Sequence, residues 1–377
     1  MKKLRHLFWL FLMYSSMAQA QNYLFIGSYN WNKEKEGIYV YRFDTATGGL
    51  QFVSSLRDVL NPGYLALSPD GRYVYACTEA RTPGDGGMSS FAFDSVRGAL
   101  TFISRQPAGS ENPVYTAVHK SGKWLINACY TGGSAAVFPL SDKGVIGPAA
   151  QVFLFRDSSL TERQRSSHVH SSVFSLDHHQ VLLPDLGADK IRCFTFTDSS
   201  SRPLQAAAAP FIRTVPGSGP RHITIHPNQR FVYCIEEMSG NVVAYTYHNG
   251  QLQAQQTIRA HFRKEGSDFN SADIHLSPDG RFLYASTRDP ENIIVIFRVN
   301  SASGRLTSIG RQPSGGSHPR NFVIDPSGKY LLAANQLSGN VVVFRRNMRT
   351  GRLRKTGISI QAPGASCLQL RSYHVTR

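Results

Sequence analysis

The sequence predicts an all-β fold, a seven-bladed β-propeller with four antiparallel strands per blade. Three observations predict it. One segment recurs at intervals of about fifty residues. Each copy carries four short strand-like runs separated by turn residues. A further copy is divided between the two chain ends, so that its halves would pair and close the ring, leaving no sheet edge open.

The first segment reads as a leader. Lys2, Lys3 and Arg5 precede an apolar run at residues 7–14, and Ala18-Gln19-Ala20 has the small-x-small form of a cleavage site. The run is too short to span a bilayer, and no later stretch approaches the ~18 apolar residues that a span needs. Residues 1–20 are expected to be a signal peptide, cleaved near Ala20-Gln21, and residues 21–377 to form a single propeller domain in the periplasm or outside the cell.

The copies follow in order. NPGYLALSPDGRYVYACTE begins at Asn61, NPVYTAVHKSGKWLINACY at Asn112 and VHSSVFSLDHHQVLLPDL at Val169. GPRHITIHPNQRFVYCIEE begins at Gly219, ADIHLSPDGRFLYASTR at Ala272 and HPRNFVIDPSGKYLLAANQ at His318. Measured at Pro62, Pro113, Val169, Pro220, Ala272 and Pro319, the intervals are 51, 56, 51, 52 and 47 residues. Each copy opens with an apolar strand that ends in a turn such as SPDG or DPSG, where Pro presets one dihedral and Gly supplies the positive one. A second apolar strand follows (RYVYAC, RFLYAS), then a third (NVVAYTY, NVVVFRR). A weaker fourth follows a G-x-L turn, as at Gly98-Ala99-Leu100 and Gly304-Arg305-Leu306. In the divided copy, residues 22–29, 37–44 and 50–54 match the second, third and fourth strands, and ASCLQL at 365–370 supplies the first. The 357 residues after the leader make seven blades of 51.

The net charge is +16, with three of those charges in the leader. Such a balance suits anionic partners. There is no run of five basic residues and no nucleic-acid motif, so nucleic acid is not an expected partner. Five cysteines, Cys77, Cys129, Cys193, Cys234 and Cys367, lie in the strand runs with no CxxC among them. Buried free thiols are expected rather than a disulfide framework or a zinc site.

The repeat register also says which residues share a face. The two innermost strands of a blade are antiparallel, so the start of the first lies beside the end of the second, at one mouth of the central channel. The column at the start of the first strand holds Gly63, Val114, His170, Arg221, Ala272 and Arg320. The next column holds Tyr64, Tyr115, Ser171, His222, Asp273 and Asn321. The column at the end of the second strand holds Tyr29, Glu79, Tyr130, Leu186, Glu237, Arg288 and Gln336. Charged groups at such positions are costly unless paired or wet. Their chemistry differs from blade to blade, which argues for a polar small-molecule site rather than a repeated structural device. Blade-to-blade ion pairing, such as Glu237 with Arg288, is the competing reading.

The chain resembles the propeller lactonase family, which includes the bacterial propeller-type 6-phosphogluconolactonases and is related to fungal carboxy-cis,cis-muconate cycloisomerases. The resemblance runs over nearly all of the chain after the leader. It is carried by NPGYLALSPDG, His-x-His-Ser at 168–171, LLPDLGADKI, PGSGPRHITIHP, EEMSG, STRDP and HPRNFVIDPSG. It implies a lactone hydrolase whose site uses a His, two Arg and a Glu. Position by position these are His170, Arg221 in GPRH, Glu237 in EEMSG and Arg288 in STRDP. All four belong to the mouth columns. An export signal points to a related exported sugar lactonase.

The expected reaction adds water to the ring carbonyl of a small anionic lactone or sugar-acid derivative. Glu237 or His170 would be the general base, the carboxylate only if burial raises its pKa. Arg221 and Arg288 would hold the anionic group and the developing oxyanion. His222, Arg320, Glu79 and Tyr130 are expected to orient the substrate. No G-x-S-x-G motif is present, and no covalent nucleophile, cofactor or metal is expected. His168 and His170 share a strand face, but no third metal ligand is evident. Residues 158–167 read as a surface loop. A monomer is expected. Two other readings stay open: a lactonising cycloisomerase, and a non-enzymatic propeller that binds a protein or glycan.

Overall fold

Each repeat folds into one four-stranded antiparallel sheet, and seven such sheets make the all-β ring. The computed structural model describes residues 20–248, 250–264 and 269–374. The expected leader, except for its last residue, lies outside them. Blades 1 to 6 run in chain order from Tyr64–Leu67 to Leu353–Gln361. Blade 7 joins the chain ends: Ala365–His374 pairs with Ala20–Ser28, and Ile38–Phe43 and Leu50–Leu56 complete the sheet. The division of the seventh copy expected from the sequence is therefore present.

The core lies between blades. Phe282, Tyr284, Ile294 and Ile296 of blade 5 pack on Phe322, Leu331, Val342 and Phe344 of blade 6, and equivalent clusters fill the other junctions. An aromatic near the start of the second strand adds a recurrent polar strap. Tyr233, Tyr284, Tyr330, Tyr23 and Tyr73 each donate a hydroxyl to a backbone carbonyl in the next blade's turn between its third and fourth strands: Gly304, Gly351, Ala46, Ser95 and Asp142. Trp124 does the same through Nε1 to Asp198. The five cysteines are buried and unpaired. No helix among the described residues is long and apolar enough to cross a membrane.

Two departures from a regular ladder build the channel mouth. In five blades the register shifts by an extra residue at the start of the first strand. The shifts lie between Pro113 and Tyr115, Pro220 and His222, Ser271 and Ile274, Pro319 and Asn321, and Ala365 and Cys367. Successive strand residues normally point to opposite faces. A bulge breaks that alternation and re-aims the extra side chain. Arg221 and His222 can thus both face inward. In blade 3 the first strand shrinks to Val173–Phe174, shorter than the run expected from Val169. Pro184 on the facing strand has no N–H to give the ladder. Ser171 and Ser172 turn their hydroxyls to the carbonyls of Arg221 and Ile126. His170 is left on a short irregular stretch, fixed by its N–H to the Pro184 carbonyl at 2.9 Å.

Candidate active site

The bulges and the irregular stretch deliver His170, Arg221, Glu237 and Arg288 to one end of the channel. Glu237 is the hub. Its Oε2 accepts from Arg221 Nε at 2.7 Å, and its Oε1 lies 2.9 Å from Arg288 Nη2 and 2.5 Å from Arg163 Nη2. His170 Nε2 lies 3.9 Å from Glu237 Oε2. Glu237, Arg221, Arg288 and His170 are all buried. A cleft of about 130 Å³ opens above them. Arg81, Asn112, Val114, Tyr130, Arg163 and Arg320 complete its lining.

The secondary candidates separate. Tyr130 and Arg320 line the cleft; Arg320 lies over the Tyr29 ring, 5.4 Å from its centroid. His222 sits deeper. Its Nε2 is 3.1 Å from Arg221 Nη1 and its Nδ1 is 2.8 Å from Asp273 Oδ1. Asp273 also meets His275 Nε2 and Asn321 Nδ2. His222 therefore braces Arg221 from below rather than facing the cleft. Glu79 turns to Arg105 and does not line the cleft. His168 stacks on Tyr130 at 4.3 Å and its Nδ1 meets the Tyr130 carbonyl at 2.8 Å, so it does not join His170 in a ligand pair.

Arg163 is the main residue that sequence reasoning missed. The loop read as plain surface carries a short 3-10 turn, Glu162–Gln164, that reaches over the mouth. Arg163 Nε donates to Tyr130 Oη at 3.0 Å while its Nη2 reaches Glu237. The loop is anchored by charge. Asp157 meets Lys190 Nζ at 2.8 Å and also Arg192, and Arg192 Nη2 meets the buried Asp185 at 2.7 Å. Gln164 Nε2 donates to the Leu186 carbonyl at 2.8 Å. Gly187 allows the loop to lie against this turn, since a Cβ there would sit 1.8 Å from the Ser166 carbonyl oxygen. The PDLGADKI motif is thus the seat of the Arg163 loop. The one sequence sign of this feature was the 56-residue interval across it, where the neighbouring interval is 51.

The charges set the protonation states. Burial alone would raise the Glu237 pKa, but Arg288, Arg163 and Arg221 together hold it well below the usual carboxylate range. Burial, then Arg221 and His222, push His170 well below the ordinary imidazole value. Burial lowers His222 to about 4, with Arg221 acting in the same direction and Asp273 against it. Burial also lowers Arg221, and Glu237 opposes that shift. The mouth thus combines an ionised Glu237, neutral imidazoles and more guanidinium groups than carboxylates. It can bind an anion, stabilise an oxyanion and accept a proton at His170.

The comparisons with known proteins match the fold and show the family. Residues 23–370 match the family model described as "Lactonase, 7-bladed beta-propeller". A 6-phosphogluconolactonase of Formosa agariphila is 41% identical over 93% of this chain and 99% of its own. One from Bacillus subtilis is 30% identical over 92% and 97%. The periplasmic gluconolactonase PpgL of Pseudomonas aeruginosa superposes with a TM-score of 0.87 at 35% identity, covering 93% of this chain and 99% of its own. With its ring of seven sheets and a match over nearly the whole described chain, this protein belongs to the seven-bladed β-propeller lactonase family.

Proposed function

We propose that the protein hydrolyses an aldonolactone carrying a negative charge, 6-phosphogluconolactone or a close relative, at the arginine-lined mouth. The observation that carries this reading is the charge inventory of the cleft. Arg81, Arg163, Arg288 and Arg320 line it, Arg221 lies beneath, and Glu237 is the one carboxylate among the described residues of its wall. The three proteins compared above carry lactonase names, and this inventory gives such a substrate a place to bind. The relatives' printed names, 6-phosphogluconolactonase and periplasmic gluconolactonase, give the substrate class.

In the proposed reaction, water attacks the lactone carbonyl carbon and His170 takes its proton. Burial and nearby cations lower the basicity of both groups, but Glu237 is committed to three guanidinium partners, whereas the neutral His170 imidazole has no hydrogen-bond partner at Nδ1. This favours His170 as the base of the two candidates. Arg288 and Arg221 stabilise the oxyanion. The ring C–O bond then breaks, and the leaving alkoxide takes the proton back from His170. The product is the open aldonate. Arg163 and Arg320 hold the distal anionic group, and Glu237 keeps the guanidinium array in place. The leader-like N-terminus and the periplasmic relative support an exported location.

A lactone panel tests the reading. Wild type should hydrolyse phosphorylated or carboxylated lactones faster than the neutral parent, above the spontaneous rate. Arg221→Ala should lose most of that activity, by about a hundredfold or more. Equal slow hydrolysis with either protein, or none, overturns it.

A further inference from the structure

We infer that the site extends past the arginine mouth onto an aromatic shelf that binds a second, uncharged sugar ring, so that the preferred substrate is a lactone bearing a glycosyl substituent. The inference rests on the lactonase reading above and adds the substrate's size and shape to it.

The shelf is built on Trp31. This indole is 58% exposed. A bulky residue with a left-handed backbone is rare, and Trp31 has φ of 57°. Its conformation is held rather than loose: its N–H donates to Asn61 Oδ1 at 2.8 Å, and Asn61 N–H in turn donates to Asn30 Oδ1 at 2.7 Å. Arg81 in the next blade has the same left-handed backbone, φ 59°, and its N–H likewise donates to Asn112 Oδ1, so this turn recurs and fixes the side chain it carries at the mouth. An exposed tryptophan fixed at some cost has no evident role in the core of this ring.

Its position supplies the role. Trp31 stacks on Tyr29, with ring centroids 5.8 Å apart and planes 25° apart. Tyr29 also carries Arg81 at 4.8 Å and Arg320 at 5.4 Å from its centroid, and both arginines line the catalytic cleft. One aromatic ring therefore separates the arginine mouth from the shelf. Gly63 makes that placement possible, since a Cβ there would lie 2.7 Å from Tyr29 Cζ.

A separate cleft of about 320 Å³ lies along the shelf, lined by Tyr29, Trp31, Gln336 and Leu337 among others. Its chemistry differs from the mouth. Leu337 is 67% exposed and adds a second apolar surface. Glu36 is already paired with Arg57. Gln336 is more than nine-tenths buried, and its Oε1 has no hydrogen-bond partner. Flat apolar surface beside an unengaged carboxamide suits a pyranose, which has C–H faces and hydroxyl edges. Lys35 is the one cation in the described lining here, against four arginines at the mouth, so a phosphate or carboxylate is better partnered there.

The test compares cellobionolactone, which carries a glucosyl ring, with glucono-δ-lactone. In wild type, kcat/KM should favour the disaccharide lactone by about tenfold, chiefly through KM. Trp31→Ala should collapse that ratio toward one, and Trp31→Phe should keep most of it. A binding readout independent of turnover is available. Besides Trp9 in the leader, the only other tryptophan is Trp124, which is buried. Cellobionate should therefore shift the emission of Trp31, and gluconate should not. A wild-type ratio at or below one, or a ratio unmoved by Trp31→Ala, overturns the shelf while leaving the lactonase reading intact. Failure to hydrolyse these two lactones and 6-phosphogluconolactone, with no emission change, overturns both.

Discussion

Glu237 is buried among three guanidinium groups, and its ionisation follows from which influence is larger. Taking one carboxylate out of water costs several kcal/mol. One opposite charge at about 4 Å returns roughly 4 kcal/mol at an effective dielectric of ~20. Three such partners outweigh the cost, which is why the carboxylate stays charged. At the histidines, burial and the neighbouring arginines outweigh the nearby carboxylates. His222 and His318 are lowered to about 4, and His170 is lowered well below 6.5. An unfolded histidine takes up a proton as pH falls through about 6.5, while these folded ones stay neutral, so the unfolded state binds more protons. Stability should therefore fall steadily from about pH 6.5 toward 4. Below about 4.5 the Glu237 contribution should begin to go as well, because its folded pKa is depressed. Melting temperatures across that range check the sign; a flat profile between pH 6.5 and 4.5 would contradict it. Arg163 gives a second expectation. Arg163→Ala should raise KM for a phosphorylated lactone by about tenfold and affect a neutral lactone much less, as steady-state kinetics on the pair will show. The four principal residues were legible because the repeat register and the family motifs both mark them. Arg163 was not, because it comes from an insertion with no counterpart in other blades. Glu79 occupies the right column but turns to Arg105, a choice set by its neighbour on the fourth strand and not by register.

Among the elements, the bulged first strands matter most. The sequence places Arg221 and His222 in adjacent columns, and a regular strand would send one of them into the blade interface. The bulge after Pro220 lets Arg221 reach Glu237 while His222 braces it against Asp273. Pro113, Pro220 and Pro319 precede three of these bulges, but Pro62 precedes a strand without one, so the bulge was not readable from local chemistry alone. Strand order and turn positions were readable, since Gly and Pro mark them in nearly every copy. The loop at residues 156–167 makes its own prediction. Gly187→Ala would press a Cβ onto the Ser166 carbonyl, which is backbone and cannot rotate away. The cost should be about 1–3 kcal/mol, seen as a lower urea midpoint. The displaced loop should also reproduce the KM effect of Arg163→Ala. Wild-type stability and KM in this variant would show that the loop does not depend on its seat.

For the whole molecule, closure and charge are the governing features. Pairing of Ala20–Ser28 with Ala365–His374 is the one sheet contact that joins the chain's two ends. Deleting residues 365–377 should expose the edge of Ala20–Ser28 and abolish a single cooperative unfolding transition, as judged by circular dichroism during heating. A sharp transition near the wild-type temperature would mean the ring holds without its clasp. Seven blades and the divided copy were evident from the repeat interval and the strand pattern matched in each copy. The sequence showed a net charge of +16 but not where the charge collects; only the ring brings arginines from separate blades and a loop around one hole. The central claim is that this mouth hydrolyses lactones with His170 as the proton acceptor. The most direct measurement is the initial rate of lactone hydrolysis, corrected for the spontaneous reaction, in wild type and His170→Ala at pH 7. The expected result is a clear wild-type rate that falls by roughly 100- to 10,000-fold in the variant with substrate binding retained. Matching rates in the two proteins would contradict the account.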